Sequence, residues 1–500
     1  MTASRPSPLR RILLVGLCLL LLAAAGAALT ACSDSPSLPA PSLPVPVYDL
    51  DVTYDGERTV TLAQELLFTA AEPLDDIRLH LYPNAFSEDA PAPPCTDDER
   101  EETYYAGESF GNIDVLSVVS DGQTIGYDIS ANGGILVAHL SAGAGETVFL
   151  RLEAVIVLPV CNARFGVSEG AVNLTAFYPS LCFREDGEWR QEGYSSVGDP
   201  FLSDISSFYV TVTAPERFIA AASGETVSSR AFGTERVTEI AAENVRDFAL
   251  FLSPSFSKHT ATAVIADERV SVRYFSLTDP DPQDTLRLAV RALEVFSETF
   301  GAYPYPAFTL VQSDIGGAGM EYGALAALSA DAHDRDVFRT TVVHETAHQW
   351  WFGVVGSDQI LHPWQDEGLA EFSAAWFFLL TGDSASYDAA VSDARAYLAA
   401  YTSLPAEIGF DNTLDRPLSS FLTAGEYTAV AYCKGMLFFH DLRTSLGDDA
   451  LTQALAAYYS ENAFTVASPS DLEHALQSAT PKGRRPLTPA WALPLHPARG

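Results

Sequence analysis

The chain has 500 residues, 47% of them hydrophobic and 19% charged, and its formal net charge at pH 7 is −36. This length is sufficient for two well-packed cores, so we expect more than one domain. A chain this acidic does not favour nucleic acid or anionic lipid through its charge, and we expect no nucleic-acid partner. The charge suits cationic substrates, although solubility or a salty habitat is the commoner cause of such a balance.

Residues 1–31 predict a bacterial lipoprotein signal peptide. Three arginines precede an almost wholly apolar run over residues 12–29. The sequence LTAC at residues 29–32 then resembles the lipobox, which implies cleavage before Cys32 and lipidation of that cysteine. The alternative is an uncleaved transmembrane anchor, which the short apolar core ending in small residues disfavours.

Residues 32–46 predict a lipidated cysteine followed by a tether rich in proline and serine. Because each buried CH₂ contributes about 0.8 kcal/mol, acyl chains on Cys32 would hold the protein on a lipid bilayer. We therefore expect an extracytoplasmic protein anchored to the bacterial cell membrane or envelope, where disulfides can form. Cys161 and Cys182 are the expected pair and Cys95 is the competing partner, but the sequence leaves the connectivity open.

Residues 47–257 predict an N-terminal β domain. Short runs such as YDLDVTYD, IRLHLYPN, TVFLRLEAVIVLP and FYVTVTAP alternate polar and apolar residues, with turn residues between them. Several strands at this spacing indicate a β-sandwich or a saddle-like sheet.

Residues 258–480 predict a second, mostly helical domain, and the proline-rich residues 481–500 predict an irregular tail. The runs VSVRYFS and FTLVQSD are expected strands that flank a helix at about 282–300, and a further strand edge is expected near 316–329. Apolar residues then recur with a helical period. The predicted helices cover residues 336–352, 363–381, 384–401, 426–445, 449–460 and 469–477. The fold class is therefore α+β with several domains.

The most informative motif is HETAH at residues 344–348, followed after eighteen intervening residues by Glu367. On a helix, His344 and His348 are one turn apart and point the same way. Two neutral imidazoles and one carboxylate provide three zinc ligands and leave the fourth position for water. Glu345 lies beside these ligands without being one, as the base that takes a proton from that water must. This set of residues is typical of an enzyme that cleaves peptide bonds.

Other zinc patterns fit less well. A metzincin would need glycine at position 351 and histidine at position 354, where this chain has Trp351 and Val354. His362 lies in a predicted loop, and we interpret it as a surface residue or a neighbour of the ligands.

These residues resemble the gluzincin aminopeptidases, the family of aminopeptidase N and leukotriene hydrolase. HETAHQWWFG and DEGLAEF match that family's zinc segments with the same spacing, and the resemblance covers about residues 47–478. It implies a thermolysin-like zincin domain over residues 258–480 and one Zn²⁺ held by His344, His348 and Glu367. It also implies that the protein removes N-terminal residues from peptides with a free N-terminus.

Two further segments carry the resemblance. GGAGMEYG at residues 316–323 resembles the family's Gly-x-Met-Glu-Asn strand, with Tyr322 in place of the asparagine. This match implies that Glu321 binds the α-amino group of the substrate, since a carboxylate pairs with an ammonium, and that Gly319 and Met320 line the substrate.

The second segment lies downstream. Tyr427 and the AYCKG run around Tyr432 resemble the family's tyrosine segment. The resemblance implies that Tyr432 donates a hydrogen bond to the oxyanion of the tetrahedral intermediate. The alternative is that Tyr432 is a core aromatic on a helix face.

Three hypotheses follow from the sequence. The first is a membrane-anchored zinc aminopeptidase, the second a zinc endopeptidase of the same fold, and the third a non-catalytic envelope binding protein. Larger family members carry a helical C-terminal domain that roofs the site. Since this chain stops at Gly500, we expect that domain to be absent and the cleft to be more open.

Overall fold

A computed structural model describes most of the chain between residues 44 and 479. The described residues are 38, 41, 44–91, 94–330, 333–404 and 409–479. The expected signal peptide, Cys32, most of the tether and the tail at 481–500 lie outside them. Among the described residues, none of the helices combines the length and the apolar character that crossing a membrane requires.

The first part of the chain is built of strands. In chain order these are β1 Val47–Tyr54, β2 Thr59–Thr69, β3 Ile77–His80, β4 Asn112–Ser120, β5 Gln123–Thr124, β6 Tyr127–Ile129, β7 Ile135–Ala138, β8 Thr147–Val157, β9 Phe165–Val167, β10 Val172–Thr175, β11 Ser180–Leu181, β12 Arg184–Glu185, β13 Glu188–Trp189, β14 Ser206–Pro215, β15 Ile219–Ala222, β16 Glu225–Phe232, β17 Glu235–Val245 and β18 Ala249–Ser253. A 3₁₀ turn at Tyr82–Phe86 and the short helix α1, Arg100–Thr103, lie among them.

These strands form a large sheet and smaller ones. The large sheet has the order β16-β17-β14-β1-β2-β8-β4-β5, and the two four-stranded sheets have the orders β15-β18-β10-β9 and β11-β3-β7-β6. Every second residue of β2 is buried, as expected for a sheet with one wet face. Tyr48 of β1 stacks on Phe208 of β14 at 4.9 Å and meets Tyr178, between β10 and β11, at 5.4 Å. The dry face is therefore covered by the smaller strands, and the predicted sheet-rich N-terminal domain is confirmed.

The second part contains a five-stranded sheet and nearly all the helices. Its strands are β19 Ser257–Ile265, β20 Glu268–Ser276, β21 Ala307–Ser313, β22 Gly319–Tyr322, β23 Leu325–Ser329, β24 Val355–Ser357 and β25 Thr465–Ala467. Its helices are α2 Pro282–Phe300, α3 Arg335–Ala347, α4 Trp364–Leu380, α5 Ser384–Thr402, α6 Ala424–Tyr427, a π-helix at Thr428–Lys434, α7 Gly435–Leu446, α8 Asp448–Glu461 and α9 Pro469–Ser478, with a 3₁₀ turn at Leu418–Ser420. The sheet order β19-β20-β21-β23-β22 places β22 at the edge.

Helix α3 begins where the sequence predicts and ends earlier. Asp334 caps it, because its carboxylate accepts hydrogen bonds from the backbone N–H groups of Asp336 and Val337. The prediction extends the helix to residue 352, whereas the helix ends at Ala347. Beyond that point the ladder widens, since Gly353 N donates to His348 O at 2.8 Å across five residues. The apolar pattern continues through this wide turn because its residues are buried as well.

The predicted helix over 426–445 is three segments in one continuous path, with the π-helix in the middle. A π-turn inserts one residue without breaking the apolar pattern, so periodicity does not reveal it. Gly368 of α4 packs directly on Gly435 at the end of the π-helix, where a Cβ on Gly368 would lie 2.8 Å from the Cα of Gly435. The two backbones therefore cross with no room for a side chain.

The strand-rich part and the helical part share a core. A buried cluster joins Phe251 of β18 to Phe275 of β20 and to Met320 and Tyr322 of β22. The buried Arg246 adds polar links, since it donates to the carbonyls of Ser203, Phe352 and Thr465, each at 2.9 Å. The described residues from 44 onward accordingly belong to one compact unit.

The expected disulfide is not formed. Cys95, Cys161, Cys182 and Cys433 are all free thiols. The preference for Cys161 with Cys182 is wrong because the two belong to different sheets: Cys161 precedes β9, whereas Cys182 directly follows β11. The ionisable neighbours of Cys182 are Arg78, Glu192 and Asp76, not Cys161.

Candidate metal centre and active site

Three buried side chains converge on one point. The Nε2 atoms of His344 and His348 are 3.0 Å apart, and each lies 3.4 Å from Oε2 of Glu367. None of the three residues is more than 6% exposed. Ligands held at ~2.0–2.1 Å on a tetrahedron lie roughly 3.3 Å from one another. The triangle therefore has the size of a three-ligand zinc site.

Consecutive helices set this triangle. His344 lies in the last turn of α3 and His348 is its C-terminal cap, so both rings leave the same face. Glu367 lies in the first turn of α4, where unpaired backbone N–H groups favour a carboxylate. The sequence motif and the helix that follows it thus supply all three ligands.

Each histidine is oriented by a partner on its other nitrogen. Nδ1 of His344 lies 2.9 Å from Oε2 of Glu371, and Nδ1 of His348 lies 3.1 Å from the carbonyl of Trp351. With Nδ1 carrying the proton toward these oxygens, Nε2 presents its lone pair to the metal position. Sequence reasoning missed Glu371, although it lies four residues after Glu367 within DEGLAEF.

The electrostatics of Glu367 suit a cation. Burial alone would raise the pKa of this carboxyl, but hydrogen bonds and charge from His344 and His348 lower the pKa well below its ordinary value. Oε2 of Glu367 is buried without another partner. An ionised carboxylate and two imidazole nitrogens at these distances fit Zn²⁺ by geometry and by donor type.

Glu345 lies beside the triangle and outside it. Its carboxylate joins Glu321 and His348 in a second buried group whose ligand atoms lie within 4.8 Å of one another. Burial raises the pKa of Glu345 to about 7, near the value that suits a general base. Gly319 allows this placement, because a Cβ on Gly319 would lie 2.7 Å from Cγ and Cδ of Glu345.

Strand β22 presents two different faces. Gly319 and Glu321 face the HETAH helix, while Met320 and Tyr322 alternate to the other side and lie in the shared core. Glu321 is 3% exposed and accepts a hydrogen bond from Nε2 of Gln359 at 2.9 Å. Burial raises the pKa of Glu321 well above its ordinary value. A substrate contact of Met320 stays a prediction, and Gln359 is a site residue that the sequence did not reveal.

The tyrosine segment reaches the triangle from the π-helix. The hydroxyl of Tyr432 donates to Oε1 of Glu367 at 2.7 Å, and its ring stacks on His344 with centroids 5.7 Å apart. Tyr427 meets Tyr432 edge-on at 5.6 Å. Tyr432 thus lies at the metal position, and its hydrogen bond to an oxyanion stays a prediction. His362 is outside the ligand group and contacts Asp415.

The N-terminal domain also contributes to the site. Nη1 of Arg164 donates to Oδ1 of Asp199 at 2.7 Å, and Asp199 is 5% exposed. Burial raises the pKa of Asp199, Arg164 lowers it, and the neighbouring carboxylate of Glu367 raises it further. The loop is held close, since a Cβ on Gly198 would lie 3.1 Å from the hydroxyl of Tyr427. Sequence reasoning missed this pair because GDPFLSD at residues 198–204 carries no metal or catalytic spacing.

Comparisons with known proteins agree with this site. The Peptidase family M1 domain matches residues 285–491. Aminopeptidase M1-B of Oryza sativa subsp. japonica is 26% identical over 41% of this chain and 25% of its own length. Aminopeptidase N of Lactobacillus helveticus is 24% identical over 77% of this chain and 46% of its own length. The chain thus spans between a quarter and a half of the length of these relatives.

The fold also matches a solved structure. The M1 zinc metallopeptidase from Deinococcus radiodurans has a TM-score of 0.64 and 21% sequence identity, over 89% of this chain and 92% of that chain. At this identity the match concerns the fold, and it covers the strand-rich part together with the helical part. Through its M1 peptidase domain and its aminopeptidase N relatives, the chain belongs to the gluzincin aminopeptidase family.

Proposed function

We propose that this protein is a zinc metallo-aminopeptidase that removes N-terminal residues from peptides. One observation carries the proposal: the ligand triangle shares His348 with a second cluster that contains Glu345 and Glu321. A base for water and a carboxylate for a substrate ammonium are therefore held beside the same metal position. An enzyme that hydrolyses the first peptide bond needs these parts at this separation.

The charge balance supports a substrate with a free amino group. Five carboxylates are buried around the centre, on residues Asp199, Glu321, Glu345, Asp366 and Glu367. Arg164 and one dication offset only part of this charge. In a site shielded from water, the remaining negative charge favours a cation such as an α-ammonium.

The chain's own residues divide the reaction among them. When bound, Zn²⁺ supplies a Lewis acid that lowers the pKa of a water molecule toward ~7 and polarises the scissile carbonyl. Glu345 accepts the proton of the attacking water and delivers it to the leaving amine. Glu321, oriented by Gln359, holds the substrate ammonium. The Tyr432 hydroxyl leaves Glu367 and donates to the developing oxyanion.

The relatives support the same substrate class. Several are named aminopeptidases, and structures of the Deinococcus protein carry a Tyr-Ser-Ala substrate or L-arginine. We take the peptide substrate over to this chain because the fold and the donor set are shared.

We further propose that the enzyme is anchored to the outer face of a bacterial membrane through acylated Cys32. The basic start, the apolar run at residues 12–29 and the LTAC segment support this placement. Replacing Cys32 with serine should abolish labelling by a radioactive fatty acid and leave the protein unprocessed. Continued labelling of the serine variant would contradict the anchor.

The test of the activity uses fluorogenic aminoacyl amides and their N-acetyl counterparts on protein that begins at residue 33. We expect chelator-sensitive cleavage of the free compounds alone, restored by zinc. Equal cleavage of free and blocked compounds would favour the endopeptidase. Zinc-loaded protein that cleaves neither would favour a binding role.

A further inference from the structure

Two buried thiols of the N-terminal domain lie near each other, away from the metal centre. Cys95 is 7% exposed and Cys161 is 0% exposed, and both are free. Burial raises the pKa of Cys161 to about 12, and the charge of a Cys95 thiolate raises it as well, which places the two sulfurs within electrostatic range. Tyr104 is influenced in the same way by both thiols.

Hydrogen bonds bring the two chain segments together on both sides of Cys161. We name residues 94–111 the acidic loop. The backbone N–H of Val160 donates to Oγ of Ser109 at 2.9 Å, and that of Asn162 donates to the carbonyl of Thr103 at 2.8 Å. The side chain of Thr103 in turn contacts the Cys95 thiol. Cys161 is therefore clamped between two contacts with the loop that carries Cys95.

We infer that Cys95 and Cys161 form a disulfide when the protein meets a disulfide oxidant such as glutathione disulfide. The Cys95 thiolate attacks the oxidant, forms a mixed disulfide and releases one glutathione thiolate. The Cys161 thiolate then attacks the Cys95 sulfur and releases the second glutathione. The protein loses two protons and two electrons, and one glutathione disulfide becomes two thiols.

Such a bond would fix the edge of the substrate cleft. Asn162 lies against Gly316, where a Cβ would be 3.3 Å from the Asn162 carbonyl. Asn173 ties the same region together, since its Nδ2 donates to Ala163 O at 2.7 Å and to Asp314 O at 3.0 Å. Residues 314–318 lead directly into β22, which carries Glu321. A bond at Cys161 would thus anchor the acidic loop to the segment that supports the amine-binding strand.

The experiment incubates the purified protein with glutathione disulfide at mildly alkaline pH, alkylates it under denaturing conditions and maps its peptides without reductant. We expect one cross-linked peptide pair containing Cys95 and Cys161, with Cys182 and Cys433 alkylated. Reductant should remove the pair and lower the melting temperature by a few degrees.

Serine variants complete the test. The C95S and C161S variants should lose both the cross-link and the sensitivity of the melting temperature to reductant, whereas C182S and C433S should keep both. Full alkylation of Cys95 and Cys161 after oxidation would overturn the inference. So would a cross-link of Cys161 to Cys182. Because the readout is covalent, the result is independent of peptidase activity.

Discussion

The metal-binding half and the substrate-binding half of the site are assembled differently. His344, His348 and Glu367 come from two consecutive helices, α3 and α4. Glu321, Asp199 and Tyr432 come from an edge strand, a loop of the N-terminal domain and a π-helix. A metal site can therefore be specified by local spacing, whereas substrate recognition depends on packing between distant segments. Each prediction below tests one half against the other.

The largest effect is expected for Glu345→Gln, which removes the base and leaves the ligand triangle intact. We expect kcat to fall by roughly 10²–10⁴-fold while zinc content is kept, because proton transfer is lost and the three ligands are not. Steady-state kinetics and metal analysis measure the two quantities. Asp336→Asn, on the exposed first turn of α3, is the control and should change neither. An active Glu345→Gln protein free of contaminating peptidase would remove Glu345 from its role.

Arg164→Met tests the contribution of the N-terminal domain. The change leaves Asp199 buried without its cation, and breaking a buried pair costs about 3–5 kcal/mol. We expect the free energy of unfolding in urea to fall by up to that amount. Arg230→Met, on the exposed strand β16, should be near neutral. Equal stabilities of the two variants would show that the Arg164–Asp199 pair does not support the site.

Tyr432→Phe examines the substrate half alone. Removing one hydrogen-bond donor to an oxyanion costs about 10²–10³-fold in kcat. We expect that loss with KM nearly unchanged and zinc retained. Tyr427→Phe, five residues earlier on the same segment, should have a smaller effect because its hydroxyl does not contact Glu367. A Tyr432→Phe variant that loses zinc but retains turnover per bound metal would make this tyrosine a structural partner of Glu367.

The smallest effect is expected for Glu371→Gln, in the metal half. It weakens the hydrogen bond that orients His344, and such changes lower metal affinity by about 10–100-fold. Competition with a fluorescent zinc chelator measures the affinity. Asp383→Asn, just beyond the end of α4, serves as the control. Unchanged affinity would mean that helix packing alone orients His344.

Much of the fold follows from local patterns. The alternation in β1 and β2 and the helical periods after residue 335 predict elements close to those observed, because burying one face leaves a period of 2 or 3.6 in the sequence. The HETAH spacing indicates a metal site without tertiary information, since one helical turn sets the separation of the two imidazoles. Glycine at Gly319 is explained only by the structure, which shows Glu345 lying against it.

Other features were decided by tertiary packing. The early end of α3, the π-helix around Tyr432 and the separation of Cys161 from Cys182 leave no periodic trace, because buried residues are apolar in any of these geometries. Asp199, Gln359 and Arg164 reach the site through contacts between distant segments. The sequence by itself thus determined the fold class, the metal ligands and the base, all of which depend on local spacing. Only the tertiary structure decided which carboxylates and amides surround them, because long-range contacts follow from how the sheets and helices pack.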